Sequence, residues 1–126
     1  GLEPAAPVHA WLTQPDGVLA APRILQQFRA GEIDGVVCAN DELALGLMFA
    51  LLGEGVAIGS ELAITGVDDV PMAGLVTPGV TTLARPLHDL SGTAARLLLD
   101  LIAGRPAESE VVPSHVVRRS SCGCPS

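Results

Sequence analysis

The sequence predicts an α/β domain built around a parallel β-sheet, and two observations carry that prediction. Nearly half of the 126 residues are apolar, yet two Phe and one Trp are the only aromatic side chains. The core must therefore come from Leu, Val, Ile and Ala, which is typical of parallel sheets covered by helices. In addition, short apolar runs alternate with helical patterns, and polar residues end each run. A chain of this length buries roughly two thirds of the surface that it exposes when unfolded.

The first part of the chain predicts one helix. Residues 18–30 carry apolar side chains at helical spacing, and Gly31 follows as a stop signal. Pro22 would then lie in the first turn, where proline is tolerated. A short extended segment is expected before the helix, over residues 8–12.

Two predicted strands each end in polar residues. The apolar run 35–39 ends at Asn40, where the next helix opens, and the run 62–67 ends abruptly at Asp68. Ligands bind outside the carboxyl ends of parallel strands, so both side chains face one crevice if the strands are neighbours. The residues alone leave another interpretation open, in which Asn40 only caps a helix and Asp68 only caps a turn.

The second half of the chain adds a strand, a helix and an extended tail. After a loop over residues 70–78, residues 80–83 predict a brief strand, and residues 88–103 predict an amphipathic helix. The apolar stripe of that helix comprises Leu90, Ala94, Leu97, Leu98, Leu101 and Ile102. Further strand patterns lie near residues 111–112 and 116–119.

The charge balance excludes direct DNA binding by this segment. The formal net charge is −7, and all seven basic residues are Arg, so no basic stripe is available to neutralise phosphates. No apolar run approaches the roughly 18 to 20 residues of a membrane helix, and the first residues lack the pattern of a signal peptide. We therefore expect a soluble, cytoplasmic chain without membrane contact.

Neither metal binding nor catalysis is expected. An odd number of cysteines argues against a disulfide framework, and Cys122 with Cys124 has no second ligand pair at zinc spacing. Asp68 and Asp69 are adjacent, and no His or third acid stands at a supporting spacing, so we do not expect an enzyme. No cofactor motif is present.

Three further side chains allow two interpretations each. Cys38 lies in an apolar run and is most simply a small buried hydrophobe. Trp11 either stacks on the ring of a bound ligand or packs in the core. Arg85, near a strand end, either touches a ligand or, more simply, lies at a surface or interface.

A family resemblance rests on five motifs. Residues 34–46, DGVVCANDELALG, closely resemble the "ANDxxAxG" segment of the lactose/galactose-repressor family. Four further matches follow in the family's order, namely LAITGVDD (62–69), TPGVTT (77–82), a Leu-rich helix closed by AGRP (103–106), and VRRSSCG (117–123). Together these motifs span residues 34–123.

The resemblance implies a periplasmic-binding-protein-like fold, in which two α/β lobes close around a small ligand. This chain would supply a truncated three-layer parallel-sheet lobe. Residues 1–83 would form a partial C-terminal lobe of the effector-binding domain, and residues 84–126 a crossover segment whose helix and terminal strands contribute to both lobes. The family's DNA-binding headpiece and most of its first lobe have no counterpart here. We therefore expect the isolated chain to rearrange or oligomerise to cover the stripe of helix 88–103.

The resemblance also implies which residues contact the ligand and which form the dimer face. In the family, the Asn of the "AND" motif and the first Asp of the later motif contact effector hydroxyls, which corresponds here to Asn40 and Asp68. Asp41 and Asp69 are weaker candidates for the ligand site, and their implied role is to support the contacting residues or to cap a helix. The family's dimer face uses the helix after "AND" and the loop after the second Asp pair. The corresponding residues here are Leu45, Met48, Phe49, Met72, Leu75 and Val76.

The function implied is effector sensing and dimerisation in a LacI-type bacterial transcription regulator. A small sugar-like ligand would shift an open and closed equilibrium of a homodimer, and so control DNA binding by a headpiece that this chain lacks. A carboxylate and an amide together suit the hydroxyls of a sugar. Two alternatives stay open, a periplasmic sugar-binding protein of a transporter and the sensor module of a signalling enzyme.

Overall fold

The computed structural model describes residues 4–124 as a mixed α/β fold. Its elements follow in the order α1 (Gln14–Arg29), β1 (Gly35–Val37), α2 (Asp41–Gly53), β2 (Ala63–Asp68), α3 (Pro71–Leu75), β3 (Thr81–Ala84), α4 (Leu87–Ile102), β4 (His115–Val117) and a 3₁₀ turn at Ser120–Cys122. The predicted α/β class is confirmed. The short helix α3 lies within the segment predicted as a loop.

The four strands form one sheet in the order β1-β2-β3-β4. β1, β2 and β3 are parallel, with Val37 opposite Thr65 and Asp68 opposite Ala84, and β4 is antiparallel to β3. β1 and β2 are therefore neighbours, as the predicted crevice requires. β4 confirms the strand predicted near residues 116–119, whereas residues 8–12 and 111–112 form no strand within the described chain.

α2 is the central helix of the core, because it packs against both α1 and β2. The approach of α1 is close enough that a Cβ on Gly46 would lie 2.0 Å from the Gln14 carbonyl oxygen. Leu45 and Met48 of α2 are 0% exposed. The prediction that these two side chains belong to an exposed dimer face is therefore wrong. With packing neighbours on more than one side, α2 leaves few of its apolar positions to solvent.

α1 begins earlier than predicted. The Thr13 hydroxyl caps the helix by accepting a hydrogen bond from the Asp16 backbone N–H at 3.4 Å, and Pro15 occupies the first turn. Pro22 consequently lies inside the helix, so its predicted place in the first turn is wrong. Thr13 and Pro15 together are the stronger start signal.

β1 is the edge strand of the described sheet, and this changes its burial. Val37 is 85% exposed, whereas Cys38 just after the strand is buried. The sequence predicts that the whole apolar run 35–39 is buried, and a strand is buried in this way only when both faces of the sheet are covered. Within residues 4–124, the outer face of β1 has no such cover.

The predicted helix over residues 88–103 is confirmed as α4, but it buries none of its own residues within the described chain. Leu98, Leu101 and Ile102 are all more than half exposed. Ion pairs join Arg96 to Glu110 and Arg105 to Asp100. The packed part of the chain thus consists of the sheet with α1 and α2, and the α4 stripe remains open. Among the described helices, none is both long and apolar enough to cross a membrane.

Candidate ligand-binding site

The carboxyl end of β2 carries two adjacent aspartates in unusual backbone conformations. Asp68 has φ 118° and Asp69 has φ 58°, both in the region that favours glycine. Asp enters this region more readily than most residues, because its short polar side chain can form local hydrogen bonds. Such conformations persist where surrounding contacts over-determine them, and they cluster at functional sites.

Asp68 is paired with Arg85, which follows β3. The Arg85 Nε donates a hydrogen bond to Asp68 Oδ1 at 2.6 Å, and its Nη2 also contacts that oxygen. The Arg85 side chain is nearly half exposed, and about a fifth of the Asp68 side chain reaches solvent. A ligand that reaches Asp68 would therefore also meet the Arg85 guanidinium.

Asp69 points to a different partner, Arg119 of the C-terminal segment. The Arg119 Nη2 lies 2.7 Å from Asp69 Oδ1, and its Nη1 donates to the Val80 carbonyl oxygen at 2.9 Å. Sequence analysis did not identify Arg119 as a functional residue. Two signals could have found it, the VRRSSCG motif and the pair of arginines directly after the last strand. The antiparallel register of β4 brings Val117 opposite Thr82 and so places this pair beside β3.

Asp41 is fully buried, and both carboxylate oxygens are engaged inside the protein. Its Oδ1 accepts from the Thr82 hydroxyl at 2.6 Å, and its Oδ2 accepts from the Val70 backbone N–H at 2.9 Å. A Cβ on Gly66 would lie 2.1 Å from Asp41 Oδ1, so only glycine leaves room for this carboxylate. Asp41 therefore offers no free carboxylate oxygen to a ligand, and its buried bonds are of the supporting kind that the resemblance implies for it. Asp41 instead ties α2 to β3 and to the segment after β2.

Asn40 caps α2. Its Oδ1 accepts from the Leu43 backbone N–H at 2.9 Å, and its Nδ2 donates to the Leu12 carbonyl oxygen at 3.1 Å. β1 ends at Val37 and β2 ends at Asp68, and the two strands are parallel neighbours, so Asn40 and Asp68 lie on the same side of the sheet, past the carboxyl ends of the strands. The capping role that the sequence left open is thus present, and Asn40 also lies at the predicted edge of the sheet.

Two cavities lie near the N-terminal segment. An apolar one of about 360 Å³ is lined by α1, β1 and α2, including Ile24, Val36 and Leu47. A second, of about 650 Å³, is lined by Trp11, Arg23 and their neighbours. Trp11 is 80% exposed, so its alternative role in core packing is wrong. Neither of these two cavities is lined by the predicted ligand residues.

The C-terminal turn is an integral part of the fold. The buried Ser121 hydroxyl donates to the Ile64 carbonyl oxygen at 2.6 Å and accepts from the Thr81 N–H at 2.8 Å. This single side chain therefore joins the turn to both β2 and β3. Across residues 4–124, no cluster of three or more His, Cys, Asp or Glu side chains is arranged to hold a metal ion.

Cys38 is a buried free thiol, in agreement with the prediction of a small hydrophobe. Burial, with a smaller contribution from the nearby Asp41 carboxylate, raises the pKa of Cys38 to about 12. The thiol is therefore protonated and unreactive at neutral pH.

An α/β lobe whose parallel strands end in polar side chains along one edge defines a ligand-binding domain of the periplasmic-binding-protein type. The family model described as "Periplasmic binding protein-like domain" matches residues 2–122. The chain belongs to this family, in its LacI/GalR branch of transcriptional regulators.

Three relatives illustrate this membership. The HTH-type transcriptional regulator MalR of Streptomyces coelicolor is 33% identical over 120 residues, covering 93% of this chain and 34% of that protein. The lactose operon repressor of Rhizobium radiobacter is 31% identical over 94 residues, covering 74% of this chain and 83% of that protein. The crystal structure of a LacI family transcriptional regulator from Enterococcus faecalis V583 with bound ribose superimposes with a TM-score of 0.81 at 34% identity, covering 90% of this chain and 42% of that one. The chain thus spans about a third of the length of MalR.

Proposed function

We propose that this chain is the effector-sensing and dimerisation region of a LacI-type bacterial transcription regulator that binds a small sugar-like ligand. The observation that carries the proposal is that Asn40 and Asp68 follow the carboxyl ends of two neighbouring parallel strands, β1 and β2. The ribose bound by the Enterococcus faecalis relative, and the name of the lactose operon repressor, support a sugar as the ligand class.

The chemistry of the crevice suits a polyol. The Asp68 carboxylate can accept hydrogen bonds from two vicinal hydroxyls. The Asn40 amide keeps one N–H and one oxygen lone pair for a ligand beyond its bonds to Leu12 and Leu43. Arg85 already occupies one oxygen of Asp68, so a bound sugar must share or displace that hydrogen bond. Asp69, held by Arg119, would support the site rather than touch the ligand.

We propose a dimer face formed by the exposed part of α2 and by α3. Phe49, Met72 and Leu75 are all exposed, and Val76 beside them is half-buried. Leu45 and Met48 are not part of this proposal, since they lie in the core. Exposed apolar groups of this kind favour a partner surface.

We propose that residues 1–83 form a partial C-terminal lobe and that residues 84–126 form a segment that crosses between the two lobes. Residues 84–126 would then carry α4 out to the first lobe, whose packing would cover the open stripe of this helix. A ligand held between the lobes would favour one arrangement of the homodimer through its differential contacts. DNA contact would fall to a separate headpiece, in keeping with the net charge of −7 on this chain.

A non-enzymatic, cytoplasmic role follows from this proposal. The relatives are transcriptional regulators, so the alternative of a transporter's solute-binding protein is not favoured. The gene sequence ahead of residue 1 distinguishes the two, because a helix-turn-helix supports the regulator and a secretory signal supports the transporter.

The binding experiment compares Asp68→Ala with Glu108→Gln, an exposed acid in the segment between α4 and β4, in the intact gene product. Calorimetry with ribose and with lactose should show the Asp68→Ala affinity reduced roughly tenfold to a hundredfold, the loss expected for hydrogen bonds to a charged group. Glu108→Gln should bind as the natural protein does. Equal affinity in all three proteins would defeat the assignment of Asp68.

A further inference from the structure

We propose that Arg119 is a positioning residue that links the ligand edge of β2 to the proposed dimer face. This inference rests on the proposed function and deepens it, since it names the side chain through which the two surfaces depend on each other. Arg119 itself contacts neither the proposed ligand residues nor the exposed side chains of the dimer face. It acts through Asp69 and through the connection between β2 and β3.

The Arg119 guanidinium holds both ends of that connection. Asp69 is the first residue after β2, and its Oδ1 accepts a hydrogen bond from Arg119 Nη2 at 2.7 Å. Val80 is the last residue before β3, and its carbonyl oxygen accepts from Arg119 Nη1 at 2.9 Å. The planar fork of arginine can make two such directed hydrogen bonds at once, which a lysine cannot do with the same geometry. One side chain therefore fixes the start and the end of the segment that contains α3.

The segment also packs around the arginine. A Cβ on Gly74 would lie 3.3 Å from Arg119 Nη2, and a Cβ on Gly79 would lie 3.1 Å from its Cδ. These two glycines allow the backbone of α3 and of the following turn to approach the side chain closely. The exposed residues Met72 and Leu75 lie on this same short helix.

Arg119 is itself firmly anchored to the sheet. Its backbone N–H donates to the Thr81 hydroxyl at 2.9 Å, and that hydroxyl donates to the Arg119 carbonyl oxygen at 2.9 Å. About a fifth of the Arg119 side chain is exposed. The ion pair with Asp69 therefore has a fixed geometry and limited solvent screening, unlike the surface pairs along α4.

The link to the ligand edge runs through the backbone of β2. Asp69 and Asp68 both have positive φ, a conformation that needs external restraints to persist. For Asp69, these restraints are the Arg119 ion pair and a 3.4 Å hydrogen bond from its N–H to the Thr82 hydroxyl. Without Arg119, the Asp68–Asp69 peptide is free to relax, and the Asp68 carboxylate changes its direction toward the crevice.

The test uses the intact gene product with Arg119→Gln, Arg119→Lys and, as a matched control, Arg105→Gln at the end of α4. Ribose and lactose affinity is measured by calorimetry, and the dimer dissociation constant by sedimentation, well below the unfolding temperature. We expect Arg119→Gln to weaken both by about tenfold, Arg119→Lys to retain part of each, and Arg105→Gln to change neither. A lower melting temperature with unchanged sugar and dimer constants would overturn the proposal and leave Arg119 a purely structural residue.

Hydrogen exchange separates failure of this inference from failure of the proposed function. The Val70 N–H bonds to Asp41 and the Val80 N–H bonds to the Ala73 carbonyl oxygen, so both report on the connection. Arg119→Gln should speed their exchange while leaving the amides of α2 protected. If the natural protein binds neither sugar, the proposed function fails, and this exchange pattern still decides whether Arg119 holds the connection. Faster exchange at all amides alike, or unchanged exchange at Val70 and Val80, would contradict that role.

Discussion

Asp41 and Thr82 are joined by a buried hydrogen bond of 2.6 Å between a carboxylate oxygen and a hydroxyl. Asp41 opens α2 and Thr82 lies in β3, and the glycine of β2 between them leaves space for the contact. The other Asp41 oxygen accepts the Val70 N–H, just beyond the two aspartates of the candidate site. One buried carboxylate therefore ties the start of α2 to β3 and to the segment that follows β2.

Removing this carboxylate should destabilise the fold. Asp41→Ala leaves the Val70 N–H and the Thr82 hydroxyl buried without their acceptor, which we expect to lower the free energy of unfolding by about 2–4 kcal/mol. Urea unfolding of the chain measures this change. Glu42→Ala, at the next position of the same helix terminus, is the control, and it should cost far less. A similar loss in both variants would show that the effect belongs to the helix terminus and not to the buried bonds.

The crossing of α1 and α2 should not tolerate a methyl group. A Cβ on Gly46 meets the Gln14 carbonyl oxygen at 2.0 Å, so Gly46→Ala must push the helices apart and should destabilise the chain by about 1–3 kcal/mol or more. Gly92 of α4 has no described atom within 4 Å of the same position. Gly92→Ala should therefore stabilise by about 0.4–1 kcal/mol. Thermal melts of both variants check the opposite signs, and a Gly46→Ala variant as stable as the natural chain would refute the close crossing.

Alkaline pH should destabilise the fold through Cys38. Its pKa rises from an ordinary 9.0 to about 12 on folding, so its contribution to stability is complete below pH 9 and is lost as the pH rises through 12. Within that window the free energy of unfolding should fall by about 1.4 kcal/mol per pH unit, as the thiol ionises in the unfolded chain first. The sequence contains no Lys and no Tyr, so few other groups titrate there.

The alkaline effect is measured by urea unfolding at pH 8, 9, 10 and 11, values chosen to span that window. Cys38→Ala should flatten the pH dependence, whereas Cys122→Ala, at a more exposed thiol, should leave most of it in place. An unchanged slope in Cys38→Ala would show that another group is responsible.

The proposed dimer face predicts which charges disrupt assembly. Leu75→Asp and Phe49→Asp in the intact gene product should each raise the dimer dissociation constant at least about tenfold, as expected for central apolar contacts. Val111→Asp introduces the same charge at another highly exposed apolar residue and should leave the constant unchanged. Sedimentation equilibrium measures all three. If Val111→Asp weakens the dimer as much as Leu75→Asp does, the face has been placed wrongly.

The elements that were predicted correctly are those that the local spacing of apolar residues indicates. The apolar run ending at Asp68 and the amphipathic stretch of α4 are both recognisable from spacing alone, and the structure confirms both elements. The adjacency of β1, which precedes Asn40, and β2, which ends at Asp68, follows from the same alternation, because parallel strands joined by one helix usually lie side by side.

The parts that the sequence did not reveal depend on contacts between distant residues. Arg119 and Asp69 are 50 positions apart, and no local pattern couples them. The family resemblance places Leu45 and Met48 on a dimer face, whereas α2 packs on two neighbours and buries both side chains. Asp41 has the polarity of a ligand residue. Only the structure shows that its carboxylate is buried and accepts hydrogen bonds from Val70 and Thr82.

The pairing at the end of the sheet has a consequence for the architecture of the chain. Ala84, where β3 stops, lies directly opposite His115, where β4 begins. In the topology of the sheet, everything between these two residues, including α4, is therefore an insertion into a β-hairpin. A two-residue turn such as Asn-Gly spans the same gap in ordinary hairpins. We therefore expect helices of different length and surface to fit between these two residues without a change in the register of β3 and β4.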